Sequence, residues 1–312
     1  MLPNSVTFIN NELKNVLNND GKDFWVINCS NVKPHVYYLD AVRKIWQGQL
    51  ISDETHSEEF SSIYFDGDNH VANCLKLYPD SMIKFGQHDD EHAGEQFYTE
   101  NVRTFAHHFI RQEFGNIKSL NCLINDDFYE QAKYFTSLCE SKISDLKSYL
   151  TLCQKTTEKL ANEVKVRFEN SILLQAKIHY YCANGVIKFG QSLQNIRENK
   201  LKEAFVLAGD AAKEFDLASG SLKDAEIGIW HEFYANECLA DIKYSAYMIR
   251  KMRGTIRELG DGARHEKWYR DTMYAPEDRN VMLLLVIDNH MTDEELYEAM
   301  KEKDKTKIQK CC

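Results

Sequence analysis

The sequence predicts a mainly α protein, an antiparallel helical bundle preceded by a short α/β segment, and three observations carry that reading. Four prolines in 312 residues, with long stretches rich in Glu, Lys, Leu and Ala, favour helix. Between Phe128 and Leu160, apolar residues return at intervals of three and four over more than an ordinary helix length. One run has the opposite character: Phe24-Trp25-Val26-Ile27-Asn28 is uncharged, rich in β-branched and aromatic side chains, and bounded by Asp20-Gly21 and Pro34. It reads as a buried strand whose carboxyl end carries amide, ammonium and imidazole groups.

The elements follow in order. Val6, Ile9, Leu13, Val16 and Leu17 fall at helical spacing within residues 5–19, and Asn18-Asn19-Asp20-Gly21 stops that helix. A strand is expected at 24–28, then a turn near Pro34 and an amphipathic helix carrying Tyr38, Leu39, Val42, Ile45 and Trp46. From 55 to 118 the pattern stays helical but is cut by Gly67, Pro79-Asp80, Gly86 and Gly94. Bundle helices are expected at 126–160, 164–196, 199–216 and 222–258, divided by Glu198-Asn199 and Ser219-Gly220-Ser221. A helix should start at Ala275-Pro276-Glu277-Asp278, and Thr292 with Glu295 forms a capping box for a terminal one. The chain divides at this level into an α/β segment with a helical lead-out, 1–120, and a bundle, 121–312.

Composition narrows the function. A formal net charge of -10 argues against nucleic-acid binding through the overall field. Nine cysteines, at 29, 74, 122, 139, 153, 182, 238, 311 and 312, contain no C-x-x-C pair and read as reduced thiols. With no apolar run of membrane-spanning length, and no signal-peptide pattern after Met1-Leu2-Pro3-Asn4, a cytoplasmic protein is expected. The tail from Lys301 to Lys310 before Cys311-Cys312 resembles a polybasic prenylated end, although Glu302 and Asp304 interrupt it.

Three constellations could carry chemistry. At the strand end, Asn28 could bond a sugar hydroxyl, Lys33 could pair an acid and His35 could move a proton; Asn28 as a turn cap and Lys33 as a solvated cation is the plainer alternative. In Gln87-His88-Asp89-Asp90-Glu91-His92, a helix would put His88 and His92 on one face, but the glutamate is misplaced for H-E-x-x-H, so no metal or other cofactor is expected. Gly228-Ile229-Trp230-His231-Glu232-Phe233-Tyr234-Ala235-Asn236-Glu237 sets aromatic rings beside polar groups on successive turns of one helix, as carbohydrate sites do, or packs them as core. Arg250-Lys251-Met252-Arg253 with Arg257 reads as a basic stripe neutralised by Glu258 and Asp261.

Trp25-Val26-Ile27-Asn28-x-x-Asn31-x-Lys33-Pro34 resembles the motif W-I-V-N-V-G-D-L-K-P near the end of the catalytic (β/α)8 barrel in family 115 glycoside hydrolases, the xylan α-1,2-glucuronidases. Gly228-Ile229-Trp230-His231 is similar to their Gly-Gly-Lys-Trp-Asn segment. Asn31 stands where that motif has an acid and Ile229 where it has Lys. Nearly the whole chain can be laid along the carboxyl-terminal half of such an enzyme. The resemblance implies that the α/β segment is the end of a barrel and that Asn28 and Lys33 line a sugar-acid pocket. The substrate-binding set is then Asn28, Asn31, Lys33, His35, Trp230 and His231, with the catalytic acid upstream and no catalytic residue assigned in this chain. The partners expected are a uronic-acid-bearing oligosaccharide and a second copy joined through the bundle, without nucleic acid. The alternatives are a non-catalytic helical dimerisation or protein-interaction module and a metal-dependent enzyme using His88 and His92.

Overall fold

The computed structural model describes every residue except Ser30, Asp278, 280–289 and 311–312, and, within the last helix, leaves out the side chains of 304–310. Its helices are α1 (Val6–Asn18), α2 (Val32–Trp46), α3 (Asp53–Tyr64), α4 (Asn69–Ser81), α5 (Glu95–Ile110) and α6 (Phe128–Thr157). They continue as α7 (Asn162–Phe168), α8 (Leu174–Arg197), α9 (Leu201–Asp224), α10 (Ile242–Asp261), α11 (Lys267–Met273) and α12 (Asp293–Lys310). A π-turn, Glu169–Leu173, joins α7 to α8. Among the described residues no helix is long and apolar enough to cross a membrane.

Two compact units form. Unit 1 gathers Met1–Tyr98, Leu138–Ala183 and Leu217–Asp241, and unit 2 gathers Thr99–Ser137, Asn184–Asp216 and Ile242–Cys312. In unit 1, α4 and α6 run antiparallel: Tyr149 donates to the Cys74 carbonyl at 3.0 Å while Lys142 donates to that of Asp80 at 3.2 Å. Val71, Cys74, Tyr78, Leu146, Tyr149 and Cys153 fill the space around this pair. In unit 2, Ser192 donates to the Ala204 carbonyl at 2.7 Å and Lys188 pairs with Glu214, so α8 and α9 are antiparallel. Arg253–Glu294 and Arg257–Asp293 set α10 against α12 in the same sense. Phe105, Phe128, Phe135, Phe189, Phe205 and Phe215 are all buried in unit 2, and a helical bundle is what the long apolar periods build.

Local rules explain the helix ends. Ser52 and Thr55 form a reciprocal capping box at α3, and Asp68 accepts the N–H groups of His70 and Val71 at α4. The box expected at α12 is present, since Thr292 N donates to the Glu295 carboxylate at 2.7 Å and Glu295 N donates back to the Thr292 hydroxyl at 3.2 Å. The helix expected to begin at Ala275-Pro276-Glu277-Asp278 would run into 280–289, and Cys311-Cys312 also falls outside the described residues.

Two expectations are corrected. No strand forms at 24–28; Phe24–Cys29 is irregular, with Phe24 76% and Val26 86% exposed. A strand satisfies its backbone only by pairing, and among the described residues no other segment is a strand to pair with. Trp25 is drawn in, donating from Nε1 to the Gly21 carbonyl at 2.6 Å and meeting Trp46 edge-on at 4.7 Å. The second correction concerns the break at Ser219-Gly220-Ser221, which α9 runs straight through. Buried Phe215, Ala218 and Ala225 prolong its apolar stripe, which outweighs the roughly 1 kcal/mol cost of one internal glycine. The break falls instead between Asp224 and Ile242, so the stretch around Trp230 is a loop and not successive turns of a helix.

Candidate functional site

That loop and the first turn of α2 meet within unit 1. Asn31 occupies the α2 N-cap, yet its side chain makes no capping bond and the first turn holds no acid. The positive end of the helix dipole is therefore left uncompensated. Pro34 suits this turn because its missing N–H would have no intrahelical acceptor. From here Lys33 Nζ donates to the Ala225 carbonyl at 2.7 Å and lies 5.5 Å from the centroid of Trp230 and 5.7 Å from that of Tyr234. Burial lowers the lysine pKa, with Glu226 pulling the other way. An ammonium has three donor directions, so the bond to Ala225 leaves two for a ligand.

The loop is pinned by its own acids. Glu226 accepts the Tyr234 N–H at 2.7 Å, and Glu237 accepts the N–H groups of Leu239, Ala240 and Asp241 at 2.8–2.9 Å. Gly228, at φ +56°, allows the turn that brings Trp230 round. Trp230, Phe233 and Tyr234 then pack edge to face in series, each pair 4.9 Å apart. Tyr234 is buried, and its hydroxyl has no hydrogen-bond partner among the described residues. Burial, reinforced by Glu95 and Glu226, pushes that phenol above its ordinary value.

Glu95 connects the aromatic cluster to a buried acid–base group. It accepts from the Met1 ammonium at 3.2 Å, and the same ammonium donates to Gln175 at 2.7 Å. Burial opposes the Glu95 charge, but the ammonium, His179 and His35 together hold its carboxyl below the usual range. His35 is lowered to about 4 by burial first and then by the ammonium, against the pull of Glu95. His179, fully buried on α8, meets Tyr78 Oη at 3.0 Å through Nε2 and Tyr98 Oη at 3.1 Å through Nδ1. Because Tyr78 donates its own proton to the Met1 carbonyl at 3.0 Å, it accepts from Nε2–H, and Nδ1 then accepts from Tyr98. Burial lowers His179 to about 4, so near neutral pH this chain of hydrogen bonds is uncharged.

Of the residues singled out from sequence, the structure brings Lys33 and Trp230 together, and His35, in the same first turn of α2 as Lys33, lies within electrostatic reach of Glu95. Asn28 is exposed on the irregular run, Asn31 stands at the α2 N-cap, and His231 points outward with its side chain 78% exposed, 4.0 Å from Glu232. His88 and His92 do not share a helix. They flank a turn closed by an isolated Lys84–His92 bridge, in which Glu91 accepts the His88 N–H at 2.7 Å. Among the described residues, no group of three or more His, Cys, Asp and Glu side chains is placed to hold a metal ion. Glu226, Tyr78, Tyr98 and His179 escaped the sequence reading; a lone histidine among apolar neighbours on α8 was the available signal.

The arrangement offers a cation, an aromatic surface, an unpaired buried hydroxyl and a neighbouring carboxylate and imidazole. Such a set can hold an acidic, partly apolar ring and exchange protons beside it. No protein-family model, curated protein or solved structure matches the chain.

Proposed function

We propose that this chain is the carboxyl-terminal, carbohydrate-associated part of a glycoside hydrolase-like protein related to the α-glucuronidases, and that unit 1 binds a uronic-acid-bearing oligosaccharide without hydrolysing it alone. The observation that carries the reading is Lys33 lying across Trp230 and Tyr234, from a segment 192 residues away from Ala225, its hydrogen-bond partner. A uronate would place its carboxylate on the ammonium and the open α2 N-terminus, and a C–H face of the ring on Trp230.

Titration calorimetry with an aldouronic oligosaccharide tests this. Binding is expected for the acidic sugar and not for a neutral xylo-oligosaccharide, and Lys33→Ala should weaken it by roughly 1 to 3 kcal/mol through loss of a charge-assisted hydrogen bond. No heat at millimolar ligand would favour the interaction-module alternative. Glucuronic acid released on overnight incubation would instead make the chain an enzyme in its own right.

A further inference from the structure

Unit 2 carries a cationic and aromatic surface that the unit 1 site does not use. Arg103, His107 and Arg111 recur every four residues along α5 and the turn that continues it, and Tyr244, Tyr247 and Lys251 recur at three and four along α10. Each set therefore forms one stripe. The two helices are tied side by side at Ser245, which is buried, accepts from Arg103 Nη1 at 3.1 Å and donates to the Thr99 carbonyl at 3.4 Å. Tyr244 and Tyr247 are exposed and stacked, with centroids 5.8 Å apart and planes 22° from parallel. Lys251 Nζ lies 5.6 Å from the Tyr247 centroid.

The charge here runs against the molecule as a whole. Burial lowers the His107 pKa and the neighbouring Arg111, Lys251 and Arg103 lower it further, so these cations surround a neutral imidazole. Of the acids nearby, Glu113 pairs with His108 at 3.3 Å and Asp216 with Arg250, while Glu100 stands on the same α5 face one turn before Arg103. In a chain of formal charge -10, a basic stripe beside paired aromatic rings is a local departure that attracts an anion.

We propose that the α5–α10 face of unit 2 binds an extended acidic polysaccharide, its sugar rings on Tyr244 and Tyr247 and its carboxylates on Arg111 and Lys251. Arginine suits a planar carboxylate, and tyrosine offers a ring face with a hydroxyl at its rim. From Tyr244 to Lys251 the stripe covers roughly 10 Å of helix, room for more than one ring. Nucleic acid is the weaker fit. A duplex carries a charge about every 1.7 Å of its axis and needs many phosphate contacts, which this short stripe cannot supply against the repulsion of an acidic chain. A polyuronate spreads one carboxylate over each ring. The inference shares its ligand class with the reading of unit 1 but none of its residues.

Binding of the full chain to polygalacturonate at low salt, compared with neutral xylan and polyuridylate, decides it. Wild type should prefer polygalacturonate to both. The double substitution Arg111→Glu with Lys251→Glu should weaken binding by about tenfold or more and Tyr247→Ala by less, and both losses should persist in a Lys33→Ala background. All these positions except Lys33 are exposed or on the stripe, and matching far-ultraviolet circular dichroism confirms that the variants fold. Unchanged affinity after charge reversal, equal binding of neutral xylan, tighter binding of polyuridylate, or a charge-reversal loss that disappears in the Lys33→Ala background would each overturn the proposal. If the aldouronic oligosaccharide fails to bind while charge reversal still abolishes the polymer interaction, the unit 1 reading falls and this one stands.

Discussion

Asp261→Ala is expected to destabilise unit 2 by about 3 to 5 kcal/mol, the scale on which breaking a buried ion pair strands its partner. Arg257 is fully buried; its Nε donates to Asp261 at 3.2 Å, Nη1 to Asp293 at 2.7 Å and Nη2 to the His265 carbonyl at 3.2 Å. The other oxygen of Asp261 accepts the Trp268 N–H at 2.6 Å. One carboxylate thus closes the end of α10, orders the start of α11 and, through Arg257, holds α12. Alanine removes the charge and leaves the Trp268 N–H buried without an acceptor, so two penalties add. Asp261→Asn should cost less, because its amide oxygen can still take the Trp268 N–H while the guanidinium keeps Asp293. Equilibrium urea unfolding measures both. If each variant lies within about 1 kcal/mol of wild type, Arg257 is not held by this pair and the account of the α10–α12 junction is wrong.

Helices α12 and α6 show what could be read from sequence, and Phe24–Asn28 and Gly220 what could not. Thr292 and Glu295 announce α12 because capping is a local transaction between residues three apart. The Phe128 to Leu160 repeat announces α6 for the same reason, since helical periodicity needs no knowledge of the partner. Phe24–Asn28 misleads because β-propensity describes a fit to a pleated, paired surface, and the pairing is absent among the described residues. Gly220 misleads in the other direction, because tertiary burial of Ala218 and Ala225 overrides a local cost.

The site follows the same division. Lys33 and Trp230 each stand out by residue type, but their meeting depends on the loop after α9, whose course is set by Gly228 and by the bond from Tyr234 to Glu226. The His179 cluster was illegible: Tyr78 and Tyr98 lie 101 and 81 residues from the histidine, and only packing joins them. Residues that gain function from long-range packing leave almost no signature in one sequence, whereas a cap or an amphipathic stripe is complete within a few turns.

Acidification should expose that cluster. His179 titrates near 4 in the folded protein and near 6.5 once unfolded, because burial between two tyrosines disfavours the imidazolium. A depressed folded pKa means that the unfolded chain binds more protons between those values, so stability is full above about pH 6.5 and falls as pH drops toward 4. For this one group the loss is about 2 kcal/mol by pH 5. His35 and buried His56 are lowered as well, also with burial as the leading cause, and add loss in the same direction. His179→Gln keeps a donor and an acceptor for the tyrosines but cannot titrate. The variant should be less stable than wild type at pH 7, yet lose less between pH 7 and pH 5, by about 2 kcal/mol, in urea titrations across that range. A wild-type stability that is flat across this range, or a glutamine variant that retains the full slope, would show that His179 is not buried and neutral as the Tyr78 and Tyr98 contacts require.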